Sequence, residues 1–188
     1  MDGRQAPPRR RSAEEISTER HHPAIAPVLT TPRLTLRQQR RSDYELLVDL
    51  YTTDRARYIG GPQKPDQVWR GFMNSVGHWP ILGMGGWAID LTATGQTIGE
   101  VAVCQPPEFP ETEIGWVLFE GFEGHGYALE AATAARDYAR TVIAPASLVS
   151  YVDPANIPSA RLAERLGATL DPAAPTPNGD PCLVFRHW

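Results

Sequence analysis

Lysine is almost missing from this chain. Lys64 is the only one in 188 residues, and arginine carries the rest of the positive charge. A G-x-x-x-x-G-K-[ST] loop has no lysine to complete it in the Gly-rich turn near residue 124, which sets nucleoside triphosphate chemistry aside. Excess positive charge is missing as well. The formal net charge is -4, and past the N-terminal residues no basic block alternates with aromatics, so nucleic acid is not an expected partner. Cysteine is scarce. Cys104 and Cys182 lie far apart in the apolar stretches "EVAVCQ" and "PCLVF", without C-x-x-C or Cys/His ligand spacing. They read as two buried free thiols rather than a disulfide or a metal site. Long apolar runs are missing too: no window approaches the roughly 20 residues of a membrane span, and the N-terminus has no apolar signal core. A soluble, cytoplasmic protein with no membrane partner is expected.

What is present suits one domain, since 41% of the residues are apolar and five are tryptophan. Residues 1–28 mix charges, prolines and a His pair with few large apolar groups, and read as a flexible tail whose "RRR" and "HH" are solvated. The domain is expected over 29–188. It opens with "TPRLTLR", where Leu34 and Leu36 alternate with polar residues as in a half-buried strand. Ser42 and Glu45 form a capping-box pattern ahead of an amphipathic helix through Tyr51. A second helix is expected from about Asp66 to His78. Two strands joined by the Thr94-Gly95-Gln96 turn follow, then "ETEIGWVLF", an Ala-rich helix, the strand "SLVSYVD", the helix "IPSARLAERLGA" and the strand "CLVFRHW". The order β-α-α-β-β-β-α-β-α-β makes an α+β domain with one mixed, mostly antiparallel sheet of about six to seven strands and four helices.

The chemistry concentrates where a strand runs through "FEGFEGHG" into the Ala-rich helix. Gly124, Gly126 and Ala128 strip side chains from a helix N-terminus, where unpaired N–H groups and the helix dipole favour a phosphate. A dinucleotide fingerprint needs a glycine three residues past Gly126, where Leu129 stands. The remaining class is coenzyme A.

These segments resemble the GNAT superfamily of N-acetyltransferases, in particular its RimJ/RimL-like branch. The resemblance rests on "TPRLTLR", "EIGWVL", "GHGYALEA" and "NIPSARLAERLGA" in the expected order over about residues 29–188. It implies that acetyl-CoA is bound by a turn written [QR]-x-x-G-x-[GA]. Here the turn is Glu123-Gly124-His125-Gly126-Tyr127-Ala128, with Glu123 in place of Gln or Arg. A carboxylate beside a pyrophosphate is repulsive, though only by about 1 kcal/mol at ~4 Å in solvent; Glu123 is expected to point to solvent. The resemblance further implies that Trp116, Val117 and Leu118 offer backbone groups to the pantetheine arm, that Asn156 bonds its amides, and that Ser159 faces the thioester sulfur. Asn156 would also cap its helix.

The resemblance implies direct attack by an amine rather than an acyl-enzyme. Glu113 is the first candidate for the base, with Glu111 on its face as partner in a water relay and Glu100 and His78 as alternatives. Many relatives carry a tyrosine acid where Ala163 stands, so Ser159 is the expected proton donor; Tyr127 and Tyr151 read as structural. Trp79 and Trp87 read as core. The carboxylates Glu108, Glu111 and Glu113 suit an amine acceptor, either a small amine-bearing metabolite or a protein N-terminus. A CoA-binding module without turnover, and a homodimer, stay open at this level.

Overall fold

The structure, a computed structural model, describes residues 22–188. The tail expected over residues 1–28 falls outside the described residues up to residue 21. Near its end two residues are tied to the domain: Ala26 is 1% exposed, its N–H donates to Gln38 Oε1, and the Pro27 carbonyl accepts the Trp87 indole at 2.8 Å.

One eight-stranded sheet has the order β1-β2-β3-β4-β5-β6-β8-β7. Its strands are β1 (Leu29–Thr30), β2 (Leu34–Gln38), β3 (Gly86–Leu91), β4 (Thr97–Cys104), β5 (Glu113–Leu118), β6 (Val149–Val152), β7 (Thr169–Leu170) and β8 (Leu183–Arg186). The expected architecture stands, with two very short edge strands, β1 and β7, raising the count. Four helices flank the sheet: α1 (Asp43–Tyr51), α2 (Pro65–Leu82), α3 (Tyr127–Tyr138) and α4 (Ile157–Arg165).

Every neighbouring pair is antiparallel except β5 and β6. Those two meet at one register pair, Glu113 with Val149, and then diverge. Past the junction, the Ser150 hydroxyl donates to the Ile114 carbonyl at 2.7 Å in place of a backbone rung.

The alternation read in the sequence sorts the two faces. Leu34, Leu36, Ile89, Val101, Val103 and Ile114 are fully buried on one face, together with Ala131, Ala132 and Ala135 of α3. An alanine stripe lets α3 lie close on the sheet, which fixes its N-terminus at the C-terminal end of β5. Trp79 and Trp87 are both fully buried, edge to face at 4.5 Å between ring centres.

Two local expectations change. Ser42 is already helical and makes no cap bond. Instead Asp43 accepts the Arg40 N–H at 2.7 Å and the Arg37 guanidinium at 2.7 Å and 3.0 Å. Arg37 also bonds Asp90 from β3, and the group is buried, so an ion network ties α1 to the sheet. The second helix runs past His78 through Pro80 and stops at Gly83, φ 70°. Pro80 leaves the Val76 carbonyl without its N–H partner, so that rung of the helix is missing.

Candidate functional site

A cleft of about 810 Å³ opens where β5 and β6 part, between the α3 N-terminus, α4 and the short helix Asp54–Ala56. Trp116, Val117 and Leu118 form one wall, Gly124, Gly126 and Ala128 one end, and Asn156 and Ser159 the opposite side. The sequence therefore named residues from three separate segments that the fold brings to one cleft.

The glycines behave as an anion cradle requires. Gly124 and Gly126 have φ of 80° and 81°, and a Cβ at Gly124 would meet nothing within 4 Å. Among the described residues no acceptor takes the N–H groups of Gly124, His125 or Gly126, and α3 begins at the next residue without a side-chain cap. A run of unpaired donors at a helix start is a site for phosphate oxygens. His125 and Tyr127 do not line the cleft with their side chains. Their rings stack at 5.6 Å, and the Arg33 guanidinium lies over Tyr127 at 4.7 Å while donating to the His125 carbonyl at 3.0 Å. Arg33 also bonds Glu130 at 2.7 Å, so this group holds the turn from outside.

Glu123 is not simply turned to solvent, as the sequence led us to expect. Its carboxylate pairs with Arg55 across the cleft mouth and accepts the Gly121 N–H at 3.0 Å. Against a burial penalty, Arg55 and the backbone donors hold its carboxyl below the usual range. Arg57, Arg161 and Arg165 line the same cleft, so four arginines face one carboxylate. The Arg161/Arg165 pair, one helical turn apart, was readable in the sequence as a basic stripe on α4; Arg55 had no local signal.

Asn156 caps α4, its side chain accepting the Ser159 N–H at 3.3 Å. Along the cleft wall, the backbone groups of Trp116 and Leu118 point away from β4 and have no β6 ladder partner, while those of Val117 are taken by its rung to Glu100. An extended ligand can therefore add to Trp116 and Leu118 as a strand does.

Glu113 sits at the fork itself. Burial pushes its carboxyl up to about 7, partly offset by the Tyr151 N–H donating to it. Glu111, the expected relay partner, has both its oxygens paired with Arg186 at 2.7 Å and 2.9 Å. His78 faces a separate open groove along α2. Glu100 lies on the neighbouring strand in a second cavity of about 180 Å³ under α1 and α2, and Ile59 lines both that cavity and the cleft. Tyr151 is structural, as expected, its hydroxyl accepting the Glu111 N–H at 3.2 Å.

Cys104 and Cys182 are free and partly buried. Burial raises both thiols above their usual range, with the Glu113 charge adding to it, which makes them poor nucleophiles. No group of metal-ligating residues and no helix long and apolar enough to cross a membrane occurs among the described residues.

The acetyltransferase (GNAT) domain family matches residues 33–169. The crystal structure of an acetyltransferase from Agrobacterium tumefaciens is 43% identical, with 87% of this chain and 95% of that chain covered and a TM-score of 0.83. RimL, a ribosomal L7/L12 alpha-N-protein acetyltransferase solved with coenzyme A, shares the fold at 19% identity, 85% and 96% coverage and a TM-score of 0.66. A ribosomal-protein-S5-alanine acetyltransferase from Vibrio fischeri does so at 14% identity, 86% and 95% coverage and a TM-score of 0.65. With the family match spanning most of the chain and a donor-rich cleft at the β5/β6 fork, this protein belongs to the GNAT acetyltransferases.

Proposed function

We propose that the protein transfers the acetyl group of acetyl-CoA to the primary amine of a small molecule, by direct attack within a ternary complex. The observation that carries this reading is one strand, β5, that starts at the β5/β6 junction with a carboxylate of pKa near neutrality and ends in the wall of an anion-binding cleft. Acetyl-CoA supplies the activated thioester. The open N–H groups at Gly124 to Gly126 suit its pyrophosphate, the arginines its remaining negative charge, and Trp116 and Leu118 with Asn156 its amide-bearing arm.

Within this reading Glu113 takes the proton of the attacking amine, a role that fits a carboxyl half-ionised at about pH 7. Ser159 donates to the leaving sulfur, and the Leu118 N–H, which points away from the β4 ladder, steadies the developing oxyanion, whereas the Val117 N–H is spent on its rung to Glu100. Neither Cys104 nor Cys182 lines the cleft, which fits direct attack better than a thiol acyl-enzyme. The small cavity beside Glu100 favours a small acceptor. A protein N-terminus is the second reading, favoured by the open groove along α2, where Met73 and Ile81 are exposed, and by the ribosomal-protein substrates that the RimL and Vibrio fischeri enzymes carry in their names.

Calorimetric titration of acetyl-CoA tests the cleft. Binding in the micromolar range is expected for wild type and its loss for Gly126→Asp, which places a charged side chain in the cradle. Turnover tests the base: Glu113→Gln is expected to keep CoA affinity and lose about 10²-fold or more in rate. Unchanged turnover removes Glu113 from the mechanism, and a wild type that binds no CoA removes the function. Acetylation of a small-amine panel against a set of peptides with free N-termini separates the two acceptor readings.

A further inference from the structure

Glu100 and Glu113 share one face of the sheet. By register Glu100 sits opposite Val117, Ala102 opposite Gly115 and Cys104 opposite Glu113, so these side chains project together while Val101, Val103 and Ile114 between them enter the core. The floor between the carboxylates is Ala102 and Gly115. A Cβ added at Gly115 would meet only the Glu113 carboxylate, at 3.7 Å, so there is room above the floor and Glu113 leans along the strand towards Glu100.

Both ends of this trough lack a positive partner. No arginine, lysine or histidine among the described residues acts on either carboxylate. At Glu100 one oxygen accepts the Tyr51 hydroxyl at 3.1 Å and the other the Gln39 Nε2 at 2.8 Å. The oxygen of that amide, Gln39 Oε1, is buried without a partner, and flipping the amide would only set its oxygen against the carboxylate. Ser75 Oγ and Gln39 Oε1 both lie within 3.3 Å of the place a Gly86 Cβ would take, and Ser75 lines the cavity with Glu100. This end thus holds a carboxylate served only by two neutral donors, with one unpartnered acceptor, Gln39 Oε1, and a serine hydroxyl beside it. An ammonium group brings three N–H donors and the missing charge.

We propose that the trough binds an acceptor with two positive ends, the amine to be acetylated beside Glu113 and a second ammonium in the cavity at Glu100, joined by a short apolar chain. The proposal rests on the acetyltransferase reading for the chemistry at Glu113. Leu47, Ile59, Val68 and Phe72 wall the cavity and suit the chain's methylenes. The two carboxylates are four residues apart in strand level, about 13 Å, less the lean of Glu113, which fits a linear diamine of about five to eight carbons. Glu100 is a specificity-determining residue here: it holds the far end and transfers no proton.

The test titrates linear α,ω-diaminoalkanes and monoalkylamines of matching length into the full chain, with and without CoA, by calorimetry. Wild type is expected to bind a diamine of preferred length at least about tenfold more tightly than the monoamine, roughly 1.4 kcal/mol. Glu100→Gln is expected to bring the diamine down to the monoamine's affinity while CoA affinity is unchanged. Glu100→Asp, which keeps the charge, is expected to keep the preference. Equal affinity for both series in wild type, no diamine binding, or a preference that survives Glu100→Gln overturns the proposal. A wild type that binds CoA but shows no diamine preference sinks the trough alone, whereas a wild type that binds the diamine but not CoA sinks the acetyltransferase reading and leaves the trough.

Discussion

Glu123 and Arg55 show how a single unfavourable residue is accommodated. The ion pair is half-exposed on the Glu123 side, so it is worth little by itself, yet it puts a cation at the mouth of a phosphate cradle. If Arg55 only neutralises Glu123, Arg55→Ala weakens CoA binding and the double variant with Glu123→Gln restores it. If Arg55 reaches the phosphates once they arrive, the double variant stays as weak as Arg55→Ala, and Glu123→Gln alone binds more tightly. The second pattern is the expected one, because three other arginines line the same cleft and only one carboxylate opposes them; a four-point calorimetric cycle decides it. Glu113 gives a second prediction. With its carboxyl at about 7, kcat/KM at saturating acetyl-CoA should rise with pH through neutrality as the carboxylate forms, and this limb should vanish in Glu113→Gln. His187 gives a third. Burial, with Arg136 and Arg140 nearby, lowers its pKa to about 4, and its Nδ1 is buried without a partner. The unfolded chain therefore binds a proton that the folded one refuses between about pH 6.5 and pH 4. Stability is full above that window and falls as pH drops through it, at up to about 1.4 kcal/mol per pH unit. Denaturant unfolding of His187→Gln against wild type should show the difference in slope.

Among the elements, α4 couples packing to chemistry. Its N-cap Asn156 accepts the Ser159 N–H and faces the cleft, so Asn156→Ala should cost about 1 kcal/mol in stability and also weaken CoA binding. Asn156→Asp, which still caps, should recover the stability; unfolding curves and calorimetry on both variants check this. The cap was legible in the sequence because Asn156 and the first turn lie within four residues. The alternating strands, the alanine helix and the glycine turn were legible for the same reason: each is a local pattern. The network of Arg37, Asp43 and Asp90 was not, since its members come from three elements and the Ser42 box offered a closer alternative. Arg55 and the polar set around Glu100 escaped too, because Tyr51, Gln39, Ser75 and Glu100 meet only when α1 and α2 fold over the sheet.

For the molecule as a whole, the Arg37 network sets how firmly that cover is fastened. Arg37 contacts two carboxylates with side chains only 5% and 12% exposed. Arg37→Ala strands both, and a loss of about 3–5 kcal/mol is expected, read as a lowered denaturation midpoint and weaker amine binding with the α3 turn intact. The parting of β5 and β6 has a mechanical consequence at the same scale. The sheet consists of two leaves, β1 to β5 and β6 with β8 and β7, whose backbone ladders meet at one register pair. The other ties are side-chain bonds at the same end: Ser150 to Ile114, Tyr151 with Glu111 and Glu113, and Arg186 to Glu111. A strand-like ligand laid in the gap completes the seam. Amides of residues 149–152 and 183–186 should therefore exchange hydrogen as a unit in the free protein and slow together on CoA binding, with a gain of about 2.7 kcal/mol in stability at a hundredfold excess over Kd. The smaller leaf would then be the last part of the protein to become rigid, and its substrate the part that makes it so.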